Sequence, residues 1–169
     1  LYSRNFYPGR IQYFLSKSSN SGTTWDIPYL LFDTTVTTLA MEDSLATPFL
    51  VSAANNRLLA IFKVGSGIYK YRISEDGGAT WGISRYLKLL ANINLEGTLK
   101  ITSAIYNGGN EIVLAISQNQ NSIGFSKSTD NGNTFTEYQI LTTAGFTNST
   151  LLPSGSGNMI LVSQEKNVA

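Results

Sequence analysis

Hydroxyls, a carboxylate or carboxamide, and a glycine recur at fixed spacing in three octapeptides. These are Ser18-Ser19-Asn20-Ser21-Gly22-Thr23-Thr24-Trp25, Ser74-Glu75-Asp76-Gly77-Gly78-Ala79-Thr80-Trp81 and Ser128-Thr129-Asp130-Asn131-Gly132-Asn133-Thr134-Phe135. A loop of this composition could hold a cation or satisfy its own backbone. Calcium needs six or more oxygens, and the spacing of an EF-hand is missing, because Glu75-Asp76 and a lone Asp130 supply too few. No metal site is therefore expected. In the other reading the Asp or Asn accepts hydrogen bonds from backbone N–H groups two residues on, and the Ser and Thr hydroxyls satisfy others. The glycine allows φ > 0 where a Cβ would clash. The Trp or Phe then opens the following strand and buries a large apolar face. The boxes are thus expected to be turns with an aromatic anchor: Ser18, Asn20, Gly22, Thr24 and Trp25; Ser74, Asp76, Gly78, Thr80 and Trp81; Ser128, Asp130, Gly132, Thr134 and Phe135.

Other chemistry is limited by what the chain lacks. With no Cys and no His there is no thiolate catalysis, no disulfide framework, no Ser-His-Asp triad and no His-based metal site. Charged residues make up 14% and the net charge is +1, which gives no electrostatic reason to expect nucleic acid as a partner. No apolar run approaches the ~18–20 residues that cross a bilayer. No cofactor is implied.

The elements that carry the boxes repeat with them, since Gly22, Gly78 and Gly132 lie 56 and 54 residues apart. Such a period marks an array of similar supersecondary units. Strand-like segments precede each box (residues 11–15, 68–73 and 123–126) and follow it (29–32, 84–89 and 136–141), so each box is a hairpin turn. Two more strand candidates stand between boxes: 48–53 and 58–62, joined at Asn55-Asn56, then 99–105 and 111–116, joined at Asn107-Gly108-Gly109. With the strands labelled A to D, the box joins C to D. Four antiparallel strands per unit of about 55 residues is the pattern of a β-propeller blade. The fold class expected is all-β, a single propeller segment over residues 1–169. Residues 1–5 read as the end of a strand B, and 151–152 with 159–164 as strands A and B of a further unit. About three blades result, half or a segment of a ring of about six. A segment is preferred, because a chain built to close by dimerisation need not start in mid-strand.

The three boxes resemble the Asp-box, or BNR repeat, of sialidases and other β-propellers of glycan-active and glycan-binding proteins. Asn20 replaces the usual Asp in the first copy and Phe135 the usual Trp in the third. Because the boxes are C–D turns, the B–C and D–A connections lie on the opposite face, and a site built from the longer loops is expected there. That face would carry the carboxylates Asp33, Glu42, Asp43 and Glu96, the cations Arg4, Arg10 and Lys63, and the aromatics Phe6, Tyr7 and Phe146. A sialidase uses three arginines on a substrate carboxylate, a Tyr–Glu nucleophile pair and an Asp acid/base. Residues 1–5, followed by Arg10 and the first box, are similar to the sialidase segment in which one such arginine ends strand B. Arg4 is then the first candidate for a carboxylate ligand, its alternative being an exposed strand-end arginine. Arg10 and Glu96 join it as candidate substrate-binding residues, Glu96-Gly97 being similar to the family's catalytic Glu-Pro.

The rest of the pattern departs. The Arg-Ile-Pro motif is absent, Lys63 and Gln118 stand at the equivalent strand ends, and Phe146 sits where a catalytic Tyr would be yet has no hydroxyl. Arg57 belongs to the box face and is expected to be structural. The chain is therefore expected to bind a glycan or glycoprotein without completing a catalytic set. The alternative is an exo-sialidase or related glycoside hydrolase with its other catalytic residues outside these 169. The remainder of a longer propeller, or a second copy, is expected to close the ring. An extracellular, cell-surface or virion-surface location is expected.

Overall fold

The computed structural model describes residues 2–6, 10–35, 48–65, 67–89, 99–119, 122–143, 146–154 and 157–165. Thirteen strands are described, and no helix is found among these residues. A three-stranded sheet has the order β1 (Tyr2–Phe6), β2 (Arg10–Leu15), β3 (Tyr29–Thr35). The second sheet is β4 (Phe49–Ser52), β5 (Leu58–Gly65), β6 (Ile68–Ser74), β7 (Arg85–Leu87). The third is β8 (Leu99–Gly108), β9 (Glu111–Gln118), β10 (Ser122–Ser128), β11 (Gln139–Thr142). A two-stranded sheet of β12 (Phe146–Pro153) and β13 (Met159–Glu165) follows. All neighbours are antiparallel. The sheets read B-C-D, A-B-C-D, A-B-C-D and A-B, as the strand pattern predicts.

The sheets stack face to face, and the two sides of each inner strand show it. In β5, Ala60 and Phe62 pack with Tyr13, Leu15 and Phe32 of the first sheet. Leu59 and Ile61 pack the other way, with Ile112, Leu114 and Ile116 of β9. The opposite side of β9, Val113 and Ala115, meets Leu151 and Leu161 of the last sheet. Burial on both faces explains why strands B read as unbroken apolar runs without polar alternation. At the A–B turn of the second sheet, Asn55 and Asn56 both take positive φ (59° and 60°), the left-handed pair that a two-residue hairpin requires.

The boxes are three copies of one hydrogen-bond pattern. The serine hydroxyl donates to the Asn or Asp carbonyl or carboxylate oxygen (3.0, 2.7 and 2.7 Å) and accepts from the glycine N–H (2.8, 2.7 and 2.8 Å). The Asn or Asp accepts the Thr N–H four residues on (2.9, 2.8 and 2.9 Å). The span of four corrects the expected span of two, because the turn is wider than an ordinary Asx turn. The box glycines sit at φ +87°, +85° and +88°, the left-handed region that an L side chain avoids.

The aromatic position needs a larger correction. Trp25, Trp81 and Phe135 do not open strand D, which starts four residues later at Tyr29, Arg85 and Gln139. Instead the last two reach back onto the preceding sheet. Trp81 joins the apolar cluster of Tyr13 and Leu15, and its indole N–H donates to Tyr29 Oη at 2.9 Å. Tyr29 in turn donates to Gly78 O at 2.7 Å. Phe135 meets Tyr71 edge-on at 5.9 Å, and Tyr71 Oη donates to Asn133 O at 2.9 Å. Trp25 has no earlier sheet among the described residues to reach, and it is 65% exposed.

Box titration gives a first test. Hydrogen bonds from the Thr80 hydroxyl and N–H, then from Ser74, hold Asp76 far below the ordinary carboxylate range. For Asp130, burial pushes upward, but donors from Thr134 and Ser128 outweigh it and the net shift is down. A carboxylate depressed on folding stabilises fully above its unfolded pKa of about 4, and this is lost as pH falls through the lower folded value. Asn20 does the same task without titrating, its Nδ2 donating to Thr24 Oγ1 at 2.8 Å. Asp76→Asn with Asp130→Asn is expected to fold at neutral pH and to lose less stability below pH ~4 than wild type. Urea midpoints measured against pH check this, and parallel curves for the two proteins would contradict it.

Candidate functional site

On the side opposite the boxes, the first sheet brings three polar side chains together. Arg10 begins β2 and Asp33 lies near the end of β3, where antiparallel pairing sets Gln12 opposite Asp33. Arg10 Nε donates to Asp33 Oδ1 at 3.0 Å, and Arg10 Nη2 donates to Oδ2. Gln12 Nε2 adds a third donor to Oδ2 at 3.1 Å. The guanidinium fork and the carboxylate match edge to edge. The side chains of Arg10 and Asp33 remain 54% and 29% exposed, on the side of the first sheet that no described sheet covers. Bonds from Arg10, then from Gln12, lower the Asp33 pKa to about 2, and its carboxyl is ionised at neutral pH. It is a hydrogen-bond acceptor there, not a proton donor.

Register extends the row. Arg4 pairs with Gln12 across β1–β2, so Arg4, Gln12 and Asp33 occupy one cross-strand line at the loop side of the sheet. Two of the three sequence candidates, Arg4 and Arg10, therefore fall on the same end of one sheet. The third, Glu96, lies outside the described residues, as do Glu42, Asp43 and Tyr7. Phe6 and Phe146 are placed only as members of β1 and β12. Lys63 offers its backbone carbonyl to Tyr13 Oη at 2.7 Å. Arg57 lies on the box side as expected, where it bonds Asn133 and Glu75.

Gln12, and the pairing of Asp33 with Arg10, are features that sequence reasoning missed. The signal available was slight: Gln12 is the polar residue in the run Ile11-Gln12-Tyr13-Phe14-Leu15, and Asp33 follows an apolar run in the partner strand. Chemically, the cluster is a charge-compensated set of guanidinium, carboxylate and carboxamide groups. Adjacent hydroxyls can donate to Asp33 and accept from Arg10 or Gln12.

Blades of four antiparallel strands, stacked face to face, define a β-propeller. The fold is that of sialidase-like propellers. Over 90% of its length the chain superposes on a NanB sialidase from Streptococcus pneumoniae with a TM-score of 0.61 and 18% identity, spanning 23% of that protein. A Hadza microbial sialidase matches 92% of the chain (TM-score 0.59, 14% identity), of which the chain spans 36%. Penicillium chrysogenum alpha-L-arabinanase, solved with arabinobiose, matches 94% (TM-score 0.59, 12% identity), with 50% of its length spanned. The chain thus covers half or less of each of these relatives in structure. No family model and no curated protein matches the sequence.

Proposed function

We propose that this chain is a glycan-recognition part of a β-propeller, binding sugar on the face opposite the boxes. The observation that carries the reading is the Arg10–Gln12–Asp33 cluster, charge-compensated at the loop end of the first sheet and part-exposed among the described residues. Its setting in a fold shared with two sialidases and an arabinanase supports it. The boxes, which resemble Asp-boxes, fix the turns and stand on the other side. The ligand would be a glycan or glycoprotein met outside the cell, at a cell surface or on a virion. Further blades, from a longer polypeptide or a second copy, would complete the ring.

A glycoside hydrolase is the second reading, favoured by the same fold likeness, with its remaining catalytic groups outside these residues. A glycan array and a fluorogenic sialoside assay on the same protein separate the two. The expected outcome is array binding that Asp33→Ala removes, with no turnover. Turnover that Arg4→Ala abolishes would replace the binding reading with the hydrolase. Array binding that survives both Arg10→Ala and Asp33→Ala would move the site elsewhere.

A further inference from the structure

A cleft lies on the box side, between the second and third boxes, with a volume of about 330 Å³. Its size is at the small end of ligand clefts, enough for a molecule the size of a monosaccharide. Arg57, Glu75, Thr80, Trp81, Arg85 and Asn133 line it. Three features of that lining point to an anion with an apolar face.

The first is uncompensated positive charge. Arg57 is only 9% exposed, and its Nη1 pairs with Glu75 Oε1 at 2.7 Å while Nη2 donates to Asn133 Oδ1 at 2.8 Å. Its Nε is buried without an acceptor. Glu75 is 68% exposed, so solvent screens its contribution. Arg85, at the start of β7, is exposed and has no side-chain partner among the described residues. Two guanidiniums thus face one carboxylate.

The second feature is the wall. Ile73 and Trp81 supply the apolar part of the lining, against which the C–H face of a sugar can pack. Thr80 and Asn133 add hydroxyl and amide groups at the rim.

The third is that the repeat does not require it. One unit later, the positions of Arg57 and Arg85 are held by Glu111 and Gln139. Glu111 there accepts from Asn107 at 2.8 Å and stands 3.8 Å from Lys127 Nζ. Lys127 there takes the place of Ile73, so the pair of arginines, though not positive charge as such, belongs to this junction alone among the described ones.

We propose that the cleft between the second and third boxes binds an acidic monosaccharide, its carboxylate on Arg85 and the outer edge of Arg57 and its ring against the apolar lining of Ile73 and Trp81. The site is separate from the Arg10–Asp33 cluster and independent of the reading given to it. Calorimetric titration with glucuronate, glucose and inorganic phosphate tests it on the 169-residue chain. Glucuronate is expected to bind more tightly than either of the others. Arg85→Gln, an exposed change that leaves the fold intact, is expected to weaken it about 10-fold, in the range of a lost charge-assisted bond. Glu75→Gln is expected to strengthen it, by removing the competing carboxylate from Arg57. Equal binding of glucose, equal binding of phosphate, or indifference to both substitutions would overturn the proposal. So would a loss on Asp33→Ala as large as that on Arg85→Gln, which would place the sugar on the other face.

Discussion

Gly124→Ala is expected to detach β11 from the third sheet and to cost about 3 kcal/mol or more, the upper range for forcing atoms into a packed interior. A Cβ at this position would stand 2.0 Å from Gln139 O, 2.8 Å from Gln139 C and 2.6 Å from Tyr138 Cε2. Two of the three obstacles are backbone, and no rotamer change clears them. The register of β10 against β11 shifts between Ile123 and Gly124, and the absent side chain is what lets the outer strand approach there. Moving β11 outward also strains its anchors, the Tyr138 N–H donated to Leu89 O at 2.7 Å and the Tyr138–Ser122 hydroxyl contact at 3.2 Å. Gly109→Ala is the control: nothing lies within 4 Å of its Cβ, and only its φ of +53° opposes the change. That substitution is expected to cost about 1 kcal/mol. Urea unfolding of the two variants distinguishes them. A Gly124→Ala protein as stable as wild type would show that β10 and β11 do not approach as described.

The second large effect is at the junction of the first and second sheets. Phe62 is fully buried, stacked on Phe32 at 4.9 Å with ring planes 9° apart and tilted against Tyr13 at 5.0 Å. Truncation to alanine removes both ring contacts and leaves a cavity, at about 3–5 kcal/mol. Against a total of about 5–15 kcal/mol for a folded domain, that is a large share. Phe62→Leu keeps most of the volume and is expected to cost about 1.5 kcal/mol. Ile83→Ala, at a side chain 77% exposed, is expected to change stability by no more than about 0.5 kcal/mol. The ordering Ala > Leu > exposed control in denaturant midpoint carries the prediction. Equal midpoints for Phe62→Ala and Ile83→Ala would mean that the first two sheets do not share a core.

The strand order was legible because it depends on local signals. The alternation of Ile68-Tyr69-Lys70-Tyr71-Arg72-Ile73, the Asn55-Asn56 turn and the box spacing are each written in consecutive residues, and each marks its element. What a residue touches in the next sheet is not written that way. Trp25, Trp81 and Phe135 occupy the same place in the repeat, yet one is exposed and the others are packed, since the difference lies in which sheet stands behind them. The Arg10–Asp33 pair has the same character. Its members are 23 residues apart, and only the register of β2 against β3 sets them side by side. Glu96 was legible as a candidate by resemblance, and no local geometry is described there to set beside it.

Trp25 and Trp81, the two tryptophans of the chain, also make an optical pair. The indole of Trp25 stands largely in water, so its emission belongs at long wavelength and within reach of a collisional quencher such as iodide. The indole of Trp81 is bonded to Tyr29 and backed by leucine and tyrosine side chains, which shifts its emission to the blue and shields it. A body that covers the open face of the first sheet would dim the quenchable component and leave the shielded one unchanged. The fluorescence of the unlabelled protein therefore reads out, one residue at a time, whether that end of the stack is covered.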